Sequence, residues 1–208
     1  MANFNDLLPL CATDLGKPAG TMKRYGQALR AAGCVSATKR GRGGADITTT
    51  DAVRTTIAAL LSSSDTRAAG TVTRVCALPL IHVAREGVWP EADLLVPWRA
   101  PFQWLAGIAI GPLDDLGEAL CSLIDAMRTD AFDRWAGDEG AAVYVDFHNE
   151  GANAYISILP RKTRAGVILT FGVEQRPPPM STITRIDNRM LVKLATTLGP
   201  PEAPPPPY

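Results

Sequence analysis

Apolar residues recur along this chain with two different periods, and the change from one to the other predicts its organisation. From the start to about residue 77, and again from residue 112 to about 135, the spacing is helical. Phe4 to Leu15 places Leu7, Leu8, Cys11 and Leu15 on one face, with Pro9 near enough to the start to be tolerated or to bend the helix. Gly16-Lys17-Pro18 breaks that pattern, and Thr21 to Ala32 begins another in which Met22, Tyr25, Ala28 and Leu29 form the buried stripe. Gly33 stands where a helix closes in a left-handed cap, and Cys34-Val35 is expected to return as a short strand, with Ile47 closing a second one. Thr48 and Asp51 have the spacing of a capping box ahead of a helix to about Leu61, its buried side formed by Val53, Ile57, Leu60 and Leu61. After the break at Ser62-Ser63-Ser64, Asp65 to Ala77 turns Val72, Val75 and Cys76 inward and stops before Pro79. Pro112 then opens a longer helix, with Leu113, Leu116, Leu120, Leu123, Ile124 and Met127 in one stripe continuing toward Trp135.

From Ala141 the period is two. Val143, Val145 and Phe147 alternate with Tyr144, Asp146 and His148; Asn149-Glu150-Gly151 turns the chain, and Ala154, Ile156 and Ile158 return it. Val167, Leu169 and Phe171 make a third strand, Thr182 to Ile186 a fourth, and Asp187 or Asn188 caps a last helix to Leu198, closed by Gly199-Pro200. The predicted class is α+β, an antiparallel meander with helices packed on one face, preceded by a small helical module. The segment from Leu80 to Gly111 contains Pro90, Pro97, Pro101, Trp89, Trp98 and Trp104, and reads as an irregular stretch packed on the core or on a partner protein. The expected division is 1–64, 65–199 and an extended proline-rich tail, 200–208.

Charge sharpens the picture of the first module. The 208-residue chain has a formal net charge of zero, yet seven cations lie between Lys17 and Arg42 without an intervening carboxylate. On the helix after Pro18, Lys23, Arg24, Gln27 and Arg30 face away from the apolar stripe. The stretch Lys39-Arg40-Gly41-Arg42-Gly43-Gly44 is too polar for a core and suits a hairpin tip lying on phosphates. A neutral chain with one basic end suggests a tethered binding module.

The run Thr21-x-x-Arg24-Tyr25-x-x-x-Leu29-x-x-x-Gly33-Cys34-Val35 resembles the recognition helix and first wing strand of winged-helix bacterial regulators, and also the N-terminal modules of small prophage-encoded proteins. The likeness covers about the first third of the chain. It implies a winged helix-turn-helix that holds double-stranded DNA, with Lys17, Thr21, Lys23, Arg24, Gln27 and Arg30 on the reading side and Lys39, Arg40 and Arg42 in the wing. The surplus apolar surface beyond it, Trp104, Leu113, Leu116, Leu120 and Ile124, is expected to hold a homo-oligomer.

Enzyme chemistry finds little footing. Of the two histidines, His82 and His148, the second lies beside Asp146, Asn149 and Glu150, an arrangement expected of a solvated hairpin tip. Neither a CxxC nor an HxxxH spacing occurs, so no metal or cofactor site is expected. Asp114-Asp115 reads as helix N-terminal charge and Asp138-Glu139 as a polar loop. Gly41 to Gly44 lacks the Lys-Ser/Thr ending of a phosphate-binding loop. Cys11, Cys34, Cys76 and Cys121, widely spaced in apolar surroundings, suggest reduced thiols. With no secretory or transmembrane pattern, a soluble cytoplasmic protein of a bacterial host cell is expected. Three functions fit: a phage or prophage transcription regulator acting as an oligomer, a small terminase subunit for DNA packaging, and an anti-defence protein that represses its own promoter.

Overall fold

A computed structural model describes residues 4–36, 47–86, 114–148, 151–159, 161–162, 166–172 and 182–200. Helices α1 (Phe4–Asp14), α2 (Ala19–Ala31), α3 (Thr49–Leu61) and α4 (Asp65–Cys76) come first, followed by strand β1 (Leu80–Glu86). Helices α5 (Leu116–Met127) and α6 (Asp130–Glu139) lead to β2 (Ala142–His148), β3 (Asn153–Leu159), β4 (Gly166–Gly172) and β5 (Ile183–Ile186), and α7 (Asn188–Leu198) ends the described fold.

The sheet is antiparallel throughout, in the order β1-β4-β3-β2-β5. Val145 pairs with Ile156 and Ile156 with Leu169, so the alternating apolar residues of three successive strands fall on one face. Helices cover that face. Val145, Ile156 and Leu169 are all fully buried, and the same apolar cluster takes in Met22, Leu29 and Ile57 from the N-terminal helices.

The caps account for the helix ends. Thr48 and Asp51 form the reciprocal capping box of α3, while Asp115, Thr129 and Asp187 each accept a backbone N–H at the start of α5, α6 and α7. At the end of α2, Gly33 takes φ 69°, the left-handed region, and the Cys34 N–H reaches back to the Leu29 carbonyl at 2.8 Å.

Several expectations need correction. Residues 34–36 form no strand, because the backbone groups a strand would use are committed: the Cys34 N–H to Leu29, and the Cys34 carbonyl to the Arg54 guanidinium at 2.7 Å. Ile47 likewise leads straight into the cap of α3 rather than a strand. Leu80 to Glu86 is the edge strand β1, entered through a bridge between Pro79 and Asp115, and not an irregular stretch; the remainder of that segment and its three tryptophans lie outside the described residues. The long helix ends at Met127, where Arg128 and the Thr129 cap separate it from α6, and Asp138-Glu139 belongs to α6 instead of a loop. Pro112 and the tail from residue 201 also lie outside the described residues.

Nor does the serine run divide the packing. The Tyr25 hydroxyl donates to the Ser62 carbonyl at 2.8 Å, and the buried Ala68, Val72 and Val75 of α4 join the same core as α2 and α3. Arg128, just after α5, donates to Thr49 of α3 and to the Gly199 carbonyl after α7, and Lys193 of α7 pairs with Asp14 of α1 at 2.6 Å. Ser62-Ser63-Ser64 is a turn between two helices that share one core.

Candidate nucleic-acid interface

Helix α2 owes its outward face to what it buries. Met22, Tyr25 and Leu29 point into the core, and α1 crosses so closely at Gly26 that a Cβ there would stand 2.7 Å from the Phe4 ring. With that side committed, Lys23, Arg24 and Gln27 face solvent together. Arg24 is 60% exposed and does not hang free: its Nη2 donates to Thr21 Oγ1 at 3.3 Å, and its Nε lies 3.5 Å from Asp65 Oδ2 at the start of α4. Lys17, half-buried in the α1–α2 turn, borders the same region.

One further expected contact is placed differently. Arg30 folds its guanidinium over the Phe4 ring, 4.1 Å from the ring centre, so its charge is spent on packing α2 against α1. Lys39, Arg40 and Arg42 lie outside the described residues, but the stems of that basic loop are on view. One carboxylate ties them: Asp51 Oδ1 accepts from the Ser36 N–H at 2.8 Å and Oδ2 from the Thr48 N–H at 3.1 Å. The residues on either side of 37–46 are therefore tied together by a residue only 3% exposed. The capping-box spacing of Asp51 was readable; its bond to Ser36, and the roles of Arg54 and Asp65, depend on long-range packing.

The leucine stripe is the clearest correction. Leu116 is 0%, Leu120 2% and Ile124 2% exposed within a single chain, the last two facing α3, α7 and Ile186. Those side chains form this chain's own core and are not available to a second copy, while Leu113 and Trp104 fall outside the described residues. His148 is also not solvated. It is 7% exposed, and the Tyr155 ring meets it edge-on with centres 4.8 Å apart.

Two adjoining clefts of about 310 and 370 Å³ share Arg54, Cys76 and Asp115. Two of the thiols there, Cys76 and Cys121, are poor nucleophiles at neutral pH: burial pushes Cys76 up to about 12 and also raises Cys121. Burial holds Cys11, deep under α3, at about 11. Among the described residues no group of three or more His, Cys, Asp or Glu side chains is placed to hold a metal ion, and no helix is long and apolar enough to cross a membrane. Comparison with protein-family models, curated proteins and solved structures yields no match.

Proposed function

We propose that this chain is a sequence-specific double-stranded DNA-binding protein, a phage or prophage transcription regulator acting as an oligomer, whose N-terminal helices form a helix-turn-helix reading head. The observation that carries the reading is the exposed face of α2, where Lys23, Arg24 and Gln27 stand together on a helix anchored by its opposite side. A bidentate Arg on guanine or Gln on adenine is worth about 1–3 kcal/mol of discrimination, and a rigidly seated helix delivers such groups at fixed spacing. On this reading Lys39, Arg40 and Arg42 supply phosphate contacts without sequence information.

The test is selection from a pool of random duplexes by the full chain and by Arg24→Ala. The variant is expected to bind more weakly and to lose base preference at one position; an unchanged preference removes Arg24 from the reading side. Light scattering on the protein–DNA complex fixes the copy number. A dimer fits a regulator, and a larger ring would transfer the reading to a DNA-packaging subunit.

A further inference from the structure

Helix α4 runs beside α2 in the same sense. Arg24, midway along α2, meets Asp65 at the start of α4, and Ala32, Gly33 and Cys34 at the end of α2 line one cleft with Val72, Thr73 and Cys76 of α4. The two helices therefore run in the same direction.

The outward stripe of α4 continues the face of α2. Ala68, Val72 and Val75 are buried, so helical periodicity turns Thr66, Gly70 and Thr73 outward beside α2, with Arg67 and Arg74 on the stripe beyond. A Cβ built at Gly70 has nothing within 4 Å, so the centre of this face is low and open. Arg74 is steadied by the Gly151 carbonyl, which its Nη1 reaches at 2.9 Å. The result is a shallow surface with Lys23 and Arg24 on one flank, Arg67 and Arg74 on the other, and small side chains between them. Asp65, the carboxylate at the seam, sits in an ion pair with Arg24.

We propose that α4 is a second wall of the nucleic-acid interface, its Thr66–Gly70–Thr73 stripe lying close to the duplex backbone and Arg67 neutralising a phosphate. This rests on the DNA-binding reading above and adds to it that the three-residue turn between α3 and α4 presents a second helix to the same duplex. Small residues allow the backbone to come near, and cations at the rim hold it there.

The experiment measures the affinity of the full chain for a mixed-sequence duplex across a salt series. Arg67→Gln should lower the slope of log affinity against log salt by about 1, since each neutralised phosphate contributes about 0.9. Gly70 gives the sharper test because substitutions there enter open space: Gly70→Glu should weaken binding by on the order of tenfold and Gly70→Lys should strengthen it, because only the sign of the charge near phosphate differs. A role in folding would shift both variants the same way, and their melting temperatures check that directly. If Arg24→Ala weakens binding while Arg67→Gln and both Gly70 variants match the wild type, α4 is not part of the interface, though the function reading stands. If the wild type binds no duplex, both fall.

Discussion

Removing the Asp51 carboxylate should do more than unmake a helix cap. In the folded chain it accepts from the Thr48 N–H, as any capping box does, and also from the Ser36 N–H across the base of the basic loop. Hydrogen bonds to a charged acceptor contribute about 1.5–3 kcal/mol each when buried, but Ser36 and Thr48 are exposed, so water can replace part of what is lost. Discounting for that, Asp51→Ala should cost about 2–3 kcal/mol, a fall in melting temperature of roughly 5–10 °C for a chain of this size. Thr48→Ala, which removes the reciprocal bond to the Asp51 N–H but leaves the carboxylate, should cost only about 1 kcal/mol. Urea unfolding of both variants decides the matter through the difference between them. If Asp51→Ala costs no more than Thr48→Ala, the tie to Ser36 contributes nothing and the loop is not clamped at its base. Should the larger cost appear, the same variant should also weaken duplex binding at salt concentrations where it remains folded, because the stems that position the basic loop are no longer joined.

Other sites give equally direct expectations. Arg128→Ala removes donors from the Gly199 and Pro200 carbonyls, Thr49 and Asp125, and should cost about 3 kcal/mol in urea unfolding, with Arg128→Lys recovering only part because it lacks the fork. Leu120→Asp places a charge in the chain's own core and should cost more than about 4 kcal/mol; a variant that melts normally yet changes its mass in solution would restore the leucine stripe as an oligomer contact. At Gly151, φ is 81° and a Cβ would stand 2.8 Å from Val75 Cγ2, so Gly151→Ala should lower stability by about 2–4 kcal/mol, and a neutral effect in thermal unfolding would disprove the tight seat. Cys11 loses its proton near 9.0 when unfolded but only near 11 when buried, so between those values the unfolded chain holds fewer protons and stability falls as pH rises, by about 3 kcal/mol in all. Cys11→Ala should flatten that alkaline decline, measured by urea unfolding across the pH range.

Much of the architecture was legible because local signals agreed with one another. Thr48 with Asp51, Asp187 before α7 and the alternation from Val143 to Phe147 each combine a boundary residue with the matching period, and each lies where it was read. What escaped depends on partners far away in the chain. Leu80 to Glu86 is a strand because β4, some eighty residues later, offers it an edge, and seven residues with mixed polarity cannot announce that. The break after Met127 needs Arg128 to turn toward Gly199, which no window around it contains. A leucine stripe states that a face is buried but not by what, so a single-chain core was read as an interface. His148 has the outward parity of its strand, yet it is buried there, with the Tyr155 ring of the neighbouring strand packed against it. The candidate site was half legible: composition marked Lys23, Arg24 and Gln27, whereas Asp65, Arg67 and Gly70 join them only through the packing of α4 on α2.

The way the sheet meets the N-terminal helices bears on how such a surface is held. The turn into β3 places Gly151 against Leu61 of α3 and Val75 of α4, and its carbonyl receives Arg74 from the exposed side of α4. A hairpin attached to the central strands is thereby seated at the α3–α4 junction, where a side chain of any size would push it away. On the opposite flank Lys193 holds Asp14 at the end of α1, just before the turn that carries Lys17. Helix α4 is thus braced directly, and α2 through its neighbour α1, by elements of the second half of the chain. Exposed cations on flexible supports would lose orientation, since fixing a long side chain costs up to about 2 kcal/mol of rotamer entropy and fixing the backbone beneath it costs more. Here the backbone cost is met once, in folding, by the shared core. The part of the chain that resembles nothing basic is therefore what makes the basic face a surface of fixed shape, and a change at the Gly151 seat should reach α4 before it reaches any group that could touch DNA.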